Sequence, residues 1–536
     1  MSKEQLAKRN LGQDIPMLLN FLPSVVTTTD AGAGVGYTGI RVRGISSQST
    51  NVTINGIPYN DAESLGTFWV NLGDFASSVE SLQLQRGVGT STNGSGAFGA
   101  SINVLTDAVS TASSGEISNS FGSYNTRKHT VKFSTGLMND HIEIAGRLSK
   151  IASDGYIDRA SSDLKSYFLQ GSYIDDNTLI KAITFGGKEV TYQSWNGLED
   201  LYKLENDRTY NTAGEYTDNE GVTRFHDNQV DNYNQDHYQL HWNQRYTNQW
   251  STTLGLNYTK GSGYFEQYKQ GEDFADYGFE PLDFSGEIID ETDLIRRRWL
   301  DNNFYVFNAN ANYKNNNINL IFGGSYSHYD GDHFGEVIWA EYASQSEIRD
   351  RYYDGNSKKN DLSIFTKANY QLNEKISLYG DLQVRNVTYK TTGTTSDIVE
   401  FAIDEDFTFF NPKAGITFEL NTDNNIYFSY ARANREPNRT DFESNESIEP
   451  EQLNDFELGW RHKKGNFTFN ANAYYMSYNE QLVLSGQLDD VGNPIRTNSG
   501  KSYRLGLELE AIIPVTSKVT IQPNLTLSTN KNDETI

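Results

Sequence analysis

The chain contains no cysteine in 536 residues. Disulfides, thiolate metal ligands and cysteine nucleophiles are therefore excluded. Long apolar runs are also missing, since no stretch approaches the roughly 18 consecutive apolar residues that a transmembrane helix requires. A membrane-spanning β-barrel is not excluded by this absence, because the strands of such a barrel are apolar only at alternate positions.

Basic residues are fewer than acidic ones. The 45 Lys and Arg residues are outnumbered by 70 Asp and Glu residues, which gives a formal net charge of -25. We expect no nucleic-acid partner, because phosphate binding requires a basic surface. Tyrosine, in contrast, is abundant, with 33 Tyr beside 28 Phe. Its ring and hydroxyl suit surfaces that are apolar on one side and hydrated on the other.

A glycine-rich segment, residues 81–106, contains a formal G-x-G-x-x-G string at Gly94, Gly96 and Gly99. A dinucleotide site needs a helix directly after these glycines. Residues 100–106 instead alternate apolar and polar side chains, which predicts a strand. We therefore interpret the segment as a close crossing of backbone over backbone, which glycine permits.

Residues 1–110 combine helical and strand patterns and predict a small α+β domain. Asn55 and Gly56 end one strand with a dipeptide that strongly predicts a hairpin turn. Asp74 is placed to cap a short helix that leads into the strand before Arg86.

Residues 111–536 have a different character, because strand-like alternation recurs with few helical signals. In residues 502–511, for example, one face is apolar and the other carries Glu508 and Glu510. Tight turns alternate with long polar segments, a pattern typical of outer-membrane barrels. The long segments are residues 191–232, 261–300, 329–358, 391–408, 434–451 and 485–500.

The predicted fold is mainly β: a transmembrane antiparallel β-barrel, residues 111–536, with the N-terminal α+β domain, residues 1–110, as a plug inside its lumen. The alternation indicates about 17 strands, an odd number where bacterial single-chain barrels have an even one. Barrels with a plugged lumen have about 22 strands. We therefore expect the barrel to be incomplete at its C-terminal end.

Several segments closely resemble the TonB-dependent outer-membrane receptors. In the plug they are Ile40-Arg41-Val42-Arg43-Gly44, residues 52–61, Leu84-Gln85-Arg86-Gly87 and residues 94–103. In the barrel they are residues 410–415, residues 427–433, Arg435-Glu436-Pro437 and Glu457-Leu458-Gly459. The resemblance covers essentially the whole chain, and the order of the motifs is more specific than any motif alone.

The resemblance implies a transporter and not an enzyme, with no cofactor and no metal ion. It would take up a scarce ligand across the outer membrane of a Gram-negative bacterium, in contact with outer-membrane lipid and driven by the TonB energy-transducing complex. A ferric siderophore or another iron complex is the leading ligand. The alternatives are a glycan importer that pairs with a surface lipoprotein and, from another class, a passive porin or adhesin barrel.

The family's N-terminal TonB box and C-terminal aromatic residue are not found in the sequence. The expectation is therefore a chain truncated at both ends, with a plug that is also incomplete at its N-terminus.

The resemblance also assigns residues. The plug signature comprises Arg41, Arg43, Gly44, Asn55, Gly56, Arg86, Gly87, Gly94, Gly96 and Gly99. Plug arginines of this family face barrel glutamates, so we expect Arg41, Arg43 or Arg86 to pair with lumen-facing Glu457, Glu508 or Glu510 as a releasable latch. The simpler interpretation is that these arginines are solvated charges on strands.

Aromatic residues in the long segments are the candidates for ligand contact: Tyr192, Trp195, Tyr264, Phe265, Tyr268 and Trp339. For any one of them, an aromatic girdle at the membrane interface is the competing interpretation. His237 and His241 share a strand face, but four residues along a strand span about 13 Å, too far for joint metal ligation.

Overall fold

The computed structural model describes residues 1–198, 200–445, 447–488 and 494–532. A small N-terminal domain lies inside a barrel of antiparallel strands. Within the described part of the chain, no helix is long and apolar enough to cross a membrane.

The N-terminal domain, called the plug from here on, begins with two short helices, α1 (Lys3–Ala7) and α2 (Ile15–Leu19). Ser2 caps α1 in a capping box with Gln5, and Pro16 occupies the first turn of α2. Helices this short are marginal alone and depend on packing. Their buried leucines supply that packing, because they join the plug core.

Six strands follow in the plug. They are β1 (Val25–Thr29), β2 (Thr38–Val42), β3 (Thr50–Ile54), β4 (Ile57–Pro58), β5 (Val79–Arg86) and β6 (Ala100–Thr106). Strands β1 and β2 form one hairpin, and the other four form a sheet of order β4-β3-β6-β5. The glycine string thus leads into β6, a strand, which agrees with its exclusion as a dinucleotide site. Short 3-10 turns lie at Ser47–Ser49, Trp69–Leu72, Phe75–Ser78 and Ser91–Asn93.

The barrel contains 18 strands among the described residues, one of which, β29, has only two residues. The first nine are β7 (Ser114–Phe121), β8 (Arg127–Ser134), β9 (Ile142–Ser153), β10 (Ser162–Ile174), β11 (Thr178–Tyr192), β14 (Val230–Arg245), β15 (Trp250–Asp273), β18 (Glu291–Lys314) and β19 (Ile318–Ala340). The others are β20 (Arg351–Asn373), β21 (Ile376–Gly393), β22 (Ile403–Asn421), β23 (Asn424–Arg435), β24 (Glu451–Lys464), β25 (Phe467–Asn479), β28 (Lys501–Pro514), β29 (Thr520–Ile521) and β30 (Asn524–Asn532).

Each long barrel strand pairs antiparallel with the next along the chain, from β7 to β30. The barrel closes where β30 is next to β7. Among the described residues, no residue-by-residue pairing joins these two strands. Both are largely exposed. The mainly β fold with an N-terminal plug confirms the sequence-based prediction.

The loops between barrel strands carry small elements of their own. These are α3 (Leu201–Asn206), α4 (Arg439–Ser444), a 3-10 turn at Phe274–Tyr277, and the hairpin pairs β12 (Glu215–Thr217) with β13 (Thr223–Phe225), β16 (Leu282–Phe284) with β17 (Glu287–Ile289), and β26 (Leu482–Leu488) with β27 (Pro494–Asn498).

All six segments interpreted as long loops contain strand residues, and residues 261–300 and 329–358 are mostly strand. Strand β15 continues to Asp273, and β19 continues to Ala340. Polar composition suggested loops, but a strand that extends beyond the apolar band of a barrel can carry polar side chains on both faces because both are hydrated.

Alternation separates the two faces of the barrel wall. In β24, Phe456 and Leu458 are 38% and 54% exposed, whereas Asp455, directly before Phe456, is 4% exposed. The apolar side chains therefore face outward, and the inner face carries carboxylates. On one wall the inner face also carries Phe168, Ile183 and Phe185, which pack into the core of the plug.

Candidate functional site

The contact between plug and barrel centres on Arg43, which follows the last residue of β2. Its backbone has a φ of +53°, and its side chain is buried against the wall formed by β24, β25 and β28. Nη1 lies 2.6 Å from Glu457 Oε1. Nε and Nη2 each lie 3.0 Å from one carboxylate oxygen of Glu508. The Tyr474 ring lies 4.0 Å below the guanidinium carbon.

This environment keeps Arg43 charged. Burial acts to lower its pKa, but the carboxylates of Glu457, Glu508 and Asp455 outweigh burial and raise the pKa above its ordinary value. A bidentate contact of this kind is among the stronger charge-assisted interactions in proteins.

Arg86, at the end of β5, approaches the same wall. Its Nε lies 3.3 Å from Glu508 Oε2, and its Nη1 lies 3.7 Å from Glu510 Oε2. Arg41 is exposed and forms no ion pair within the part of the chain that the structure describes. The structure thus brings Arg43 and Arg86 to all three proposed glutamates and leaves Arg41 outside the cluster.

Gly87 follows Arg86 and lies against the same acidic wall. Its φ is +76°, and a Cβ there would lie 2.5 Å from both Asp455 Oδ2 and Glu457 Oε1. Only glycine fits this position, for its backbone conformation and for the close approach.

The other signature residues shape turns of the plug. Asn55 has a φ of +56° and Gly56 a φ of +80° in the turn between β3 and β4. The side chain of Asn55 accepts hydrogen bonds from the backbone N and hydroxyl of Thr106. Gly94, Gly96 and Gly99 lie in the loop before β6, next to Asn51 or Ile45, and Gly44 lies beside Arg504.

A second contact, missed from the sequence, joins Asp74 of the plug to β8 and β9. Asp74 has a φ of +52° and does not cap the turn that follows it, contrary to the prediction. Its carboxylate instead lies 3.0 Å from Lys128 Nζ and accepts hydrogen bonds from Thr130 and Ser149 at 2.5 and 2.6 Å. Arg147 Nη1 lies 3.7 Å away.

Asp74 remains ionised in this setting. Burial acts to raise its pKa, but Arg147 and Lys128 outweigh burial and hold the pKa below its ordinary value.

A third contact, also missed, involves Glu63 in the plug segment after β4. Its carboxylate is 2.6 Å from His333 Nε2 and 3.3 Å from Arg439 Nη1, and it accepts hydrogen bonds from Tyr329 and Tyr389. These three contacts join the plug to different parts of the barrel wall, two through plug carboxylates and one through plug arginines.

Three of the six candidate aromatic residues point out of the barrel. Tyr264 and Tyr268 share the alternation of Leu256 in β15, which is 48% exposed on the outer face. Trp339, itself 46% exposed, lies on the same face because Ile295 is directly opposite both it and Tyr268. Their place suits an interfacial girdle better than ligand contact.

The other three lie on the inner side or in the adjoining loop. Trp195 contacts Tyr37 of the plug and Phe265 of β15, with ring centroids 5.2 and 6.4 Å apart. Tyr192 is 7% exposed, and its hydroxyl donates to the carbonyls of Ala213 and His226. Trp195 and Phe265 therefore form an aromatic cluster with the plug, whereas Tyr192 serves its own loop.

Metal ligation has no geometric support in the described ranges, where no group of three or more histidine, cysteine or acidic side chains is arranged to hold an ion. His237 and His241 are buried in β14, and each approaches the side chain two residues before it, Gln235 or Gln239.

Two family profiles match the chain. The profile described as TonB-dependent receptor plug domain matches residues 1–101. The profile described as TonB dependent receptor-like, beta-barrel matches residues 172–534. No curated protein sequence matches.

Solved structures resemble the chain over almost its whole length. The ferric yersiniabactin uptake receptor FyuA from Yersinia pestis has a TM-score of 0.69 at 14% identity, over 99% of this chain and 79% of that one. The copper transporter OprC has a TM-score of 0.77 at 13% identity, over the same shares. The siderophore receptor PiuA from Acinetobacter baumannii has a TM-score of 0.70 at 15% identity, over 97% and 77%. At these identities the likeness is one of fold. With both profiles in the expected order, the chain belongs to the family of TonB-dependent receptors.

Proposed function

We propose that the protein imports a ferric siderophore or another iron complex across the outer membrane, with energy from the TonB complex. TonB-dependent receptors form an outer-membrane family of Gram-negative bacteria that works with TonB and binds small ligands such as iron chelates. The family is one of transporters and receptors and not of enzymes.

The contact of Arg43 with Glu457 and Glu508 is the observation that carries this proposal. An ion pair across the plug and barrel wall holds the plug while it is intact, and its loss leaves uncompensated charges that water can solvate once the plug moves. Such a contact suits a plug that must block the lumen at rest and move during transport. It does not suit a passive porin, which has no need of a charged latch.

The choice of an iron complex draws support from the relatives. Two of the similar structures are named for ferric yersiniabactin uptake and for a siderophore, and one is named for copper. We propose that Trp195 and Phe265, together with Tyr37 of the plug, contact the ligand. We also propose that the functional division of the chain follows residues 1–110 for the plug and 111–536 for the barrel.

Growth of a deletion strain tests the proposal. The strain is supplied with iron chelates as the only iron source or with oligosaccharides as the only carbon source. We expect loss of growth on at least one iron chelate and normal growth on glycans. Loss of growth on glycans alone would overturn the iron proposal in favour of a glycan importer.

Complementation of the deletion strain with single variants tests the aromatic cluster. We expect Trp195→Ala to restore growth poorly and Trp339→Ala to restore it fully, because only Trp195 lies beside the plug. Equal rescue by both variants would remove the aromatic cluster from the proposed site.

A further inference from the structure

Glu63 is a carboxylate of the plug that occupies a set of donors belonging to the barrel. Its side chain is 4% exposed. Oε2 accepts hydrogen bonds from Tyr329 at 2.9 Å and lies 2.6 Å from His333 Nε2. Oε1 accepts from Tyr389 at 2.8 Å and from Arg439 Nη1 at 3.3 Å. These four donors come from β19, β21 and α4, and they converge on one carboxyl group.

The donor from α4 belongs to a loop that lies on the plug. The backbone N of Arg439 donates to the carbonyl of Glu63 at 3.1 Å, and the side chain of Asn438 donates to the carbonyl of Ser64 at 3.1 Å. On the barrel side, Lys359 Nζ donates to the carbonyl of Ala62 at 2.8 Å. The loop and the plug segment therefore meet around the Glu63 carboxylate.

Charge explains why this donor set needs an anion. Burial acts to raise the pKa of Glu63, but His333 and Arg439 outweigh burial and hold the pKa below its ordinary value. Arg439 in turn depends on the anion. Without the Glu63 carboxylate, its only ionic partner among the described residues would be Glu443, which is partly exposed. Buried charge without a partner is costly.

We propose that Tyr329, His333, Tyr389 and Arg439 form a binding site for a carboxylate group of the imported ligand, and that Glu63 of the plug occupies this site in its place. Entry of the ligand exchanges one carboxylate for another. The exchange releases Glu63, and with it the plug segment, while Arg439 stays compensated. This inference rests on the proposed uptake function for the identity of the ligand, but not for the chemistry of the site.

The exchange would also reach the neighbouring loop. Asp441, in the same helix as Arg439, accepts a hydrogen bond from Arg496 Nε of β27 at 2.8 Å. A carboxylate bound at Arg439 would thus act on the plug on one side and on two outer loops on the other.

Binding of citrate, a small carboxylate probe, by the purified full chain tests the site through the variant Glu63→Gln. Glutamine keeps the size of the side chain but removes the charge that competes with the probe. We expect Glu63→Gln to bind citrate at least about tenfold more tightly than the unchanged protein, since a hydrogen bond to a charged group contributes at least that much. Glu443→Gln is the matched control and should change the affinity little, because Glu443 contacts Arg439 from the exposed side.

The affinities of two variants test the proposed site. Adding Arg439→Met to Glu63→Gln should abolish the gain in citrate affinity. An unchanged citrate affinity in Glu63→Gln would overturn the proposal.

A spin label reports on the site independently of affinity. Because the chain has no cysteine, Ser444→Cys places a single spin label on α4. We expect added citrate to change the mobility of this label, and no change at any citrate concentration would also overturn the site. If the deletion strain grew normally on every iron chelate, the uptake proposal would fail, but these binding results would stand. If the strain lost growth on iron chelates and the protein did not bind citrate, this inference alone would be overturned.

Discussion

Arg43 of the plug meets both carboxylate oxygens of Glu508 of the barrel, at 3.0 Å each, across 465 positions of the chain. Both side chains are almost fully buried, at 1% and 2% exposed. The contact fixes the turn after β2 against β28, in a part of the wall that also carries the carboxylates of Glu457 and Asp455. Its disruption should therefore have a measurable effect on the docking of the plug.

Replacement of Arg43 by methionine should loosen the plug. The change keeps the apolar length of the side chain but leaves Glu508 and Glu457 without their main partner, and breaking a buried ion pair on one side costs about 3–5 kcal/mol. Urea titration with limited proteolysis of the plug measures this loss. Arg41→Met is the control, because Arg41 lies on β2 but is exposed, and it should change the midpoint little. Equal effects of both variants would contradict a specific role for Arg43.

Gly87→Ala should weaken the same contact by a steric route. The new Cβ would meet Asp455 and Glu457 oxygens at 2.5 Å, so these carboxylates must move away from Arg43. Gly56→Ala is a close control, since its φ of +80° carries a similar backbone strain but nothing lies within 4 Å of its Cβ. The strain alone costs about 1 kcal/mol. We expect plug unfolding to begin at clearly lower urea in Gly87→Ala than in Gly56→Ala, and coincident titration curves would refute the steric argument.

Much of the fold and of the arginine contact could be predicted because both depend on local periodicity. Alternation alone assigns Glu457, Glu508 and Glu510 to the inner face of the wall, since a strand turns every second side chain inward. Alternation does not extend past the end of a strand, which is why Arg41 and Arg43 could not be separated. Arg43 lies just beyond β2, and its positive φ redirects the side chain toward the barrel.

The contacts of Asp74 and Glu63 could not be predicted from local signals. Each is a single acidic residue in an irregular segment, and each has partners that are far away in sequence: Tyr329 is 266 positions from Glu63.

The faces of the candidate aromatic residues, in contrast, could have been predicted from local alternation. Tyr264 and Phe265 point to opposite faces of β15, and alternation would have separated them had the segment been taken as strand.

Asp74→Asn should destabilise the plug where it contacts the basic side chains of β8 and β9. Asparagine tolerates the positive φ of this position better than most residues, so the backbone is preserved, while Lys128 and Arg147 lose their shared carboxylate. The expected loss is about 3 kcal/mol, at the lower end for a broken buried pair. Hydrogen exchange of the amides in the turn at Phe75–Ser78 reports the local effect. Exchange in this turn that stays as slow as in the unchanged protein would argue against an anchor here.

The contribution of Asp74 should also depend on pH. Its folded pKa lies below the ordinary value of 3.8, so its stabilising effect is present above about pH 4 and is lost as the pH falls through the folded value. Plug stability of the unchanged protein and of Asp74→Asn should therefore converge in strong acid. A difference between them that stays constant from neutral pH to about pH 2 would show that charge is not the cause.

Asp14 should have the opposite dependence on pH. Burial raises its pKa from 3.8 to about 8, against a smaller lowering effect of the Thr38 hydroxyl. The unfolded chain loses this proton near pH 4 and the folded plug keeps it until about pH 8, so plug stability falls as the pH rises through that window, by at most about 1.4 kcal/mol per pH unit. Asparagine at this position is neutral at every pH and still accepts the hydrogen bond from the Thr38 hydroxyl.

We expect Asp14→Asn to raise plug stability at about pH 8 and to change it little at about pH 4. Asp140→Asn, in an exposed turn, should have no such effect, and a gain from Asp14→Asn that is the same at both pH values would show that the buried charge is not what limits the plug.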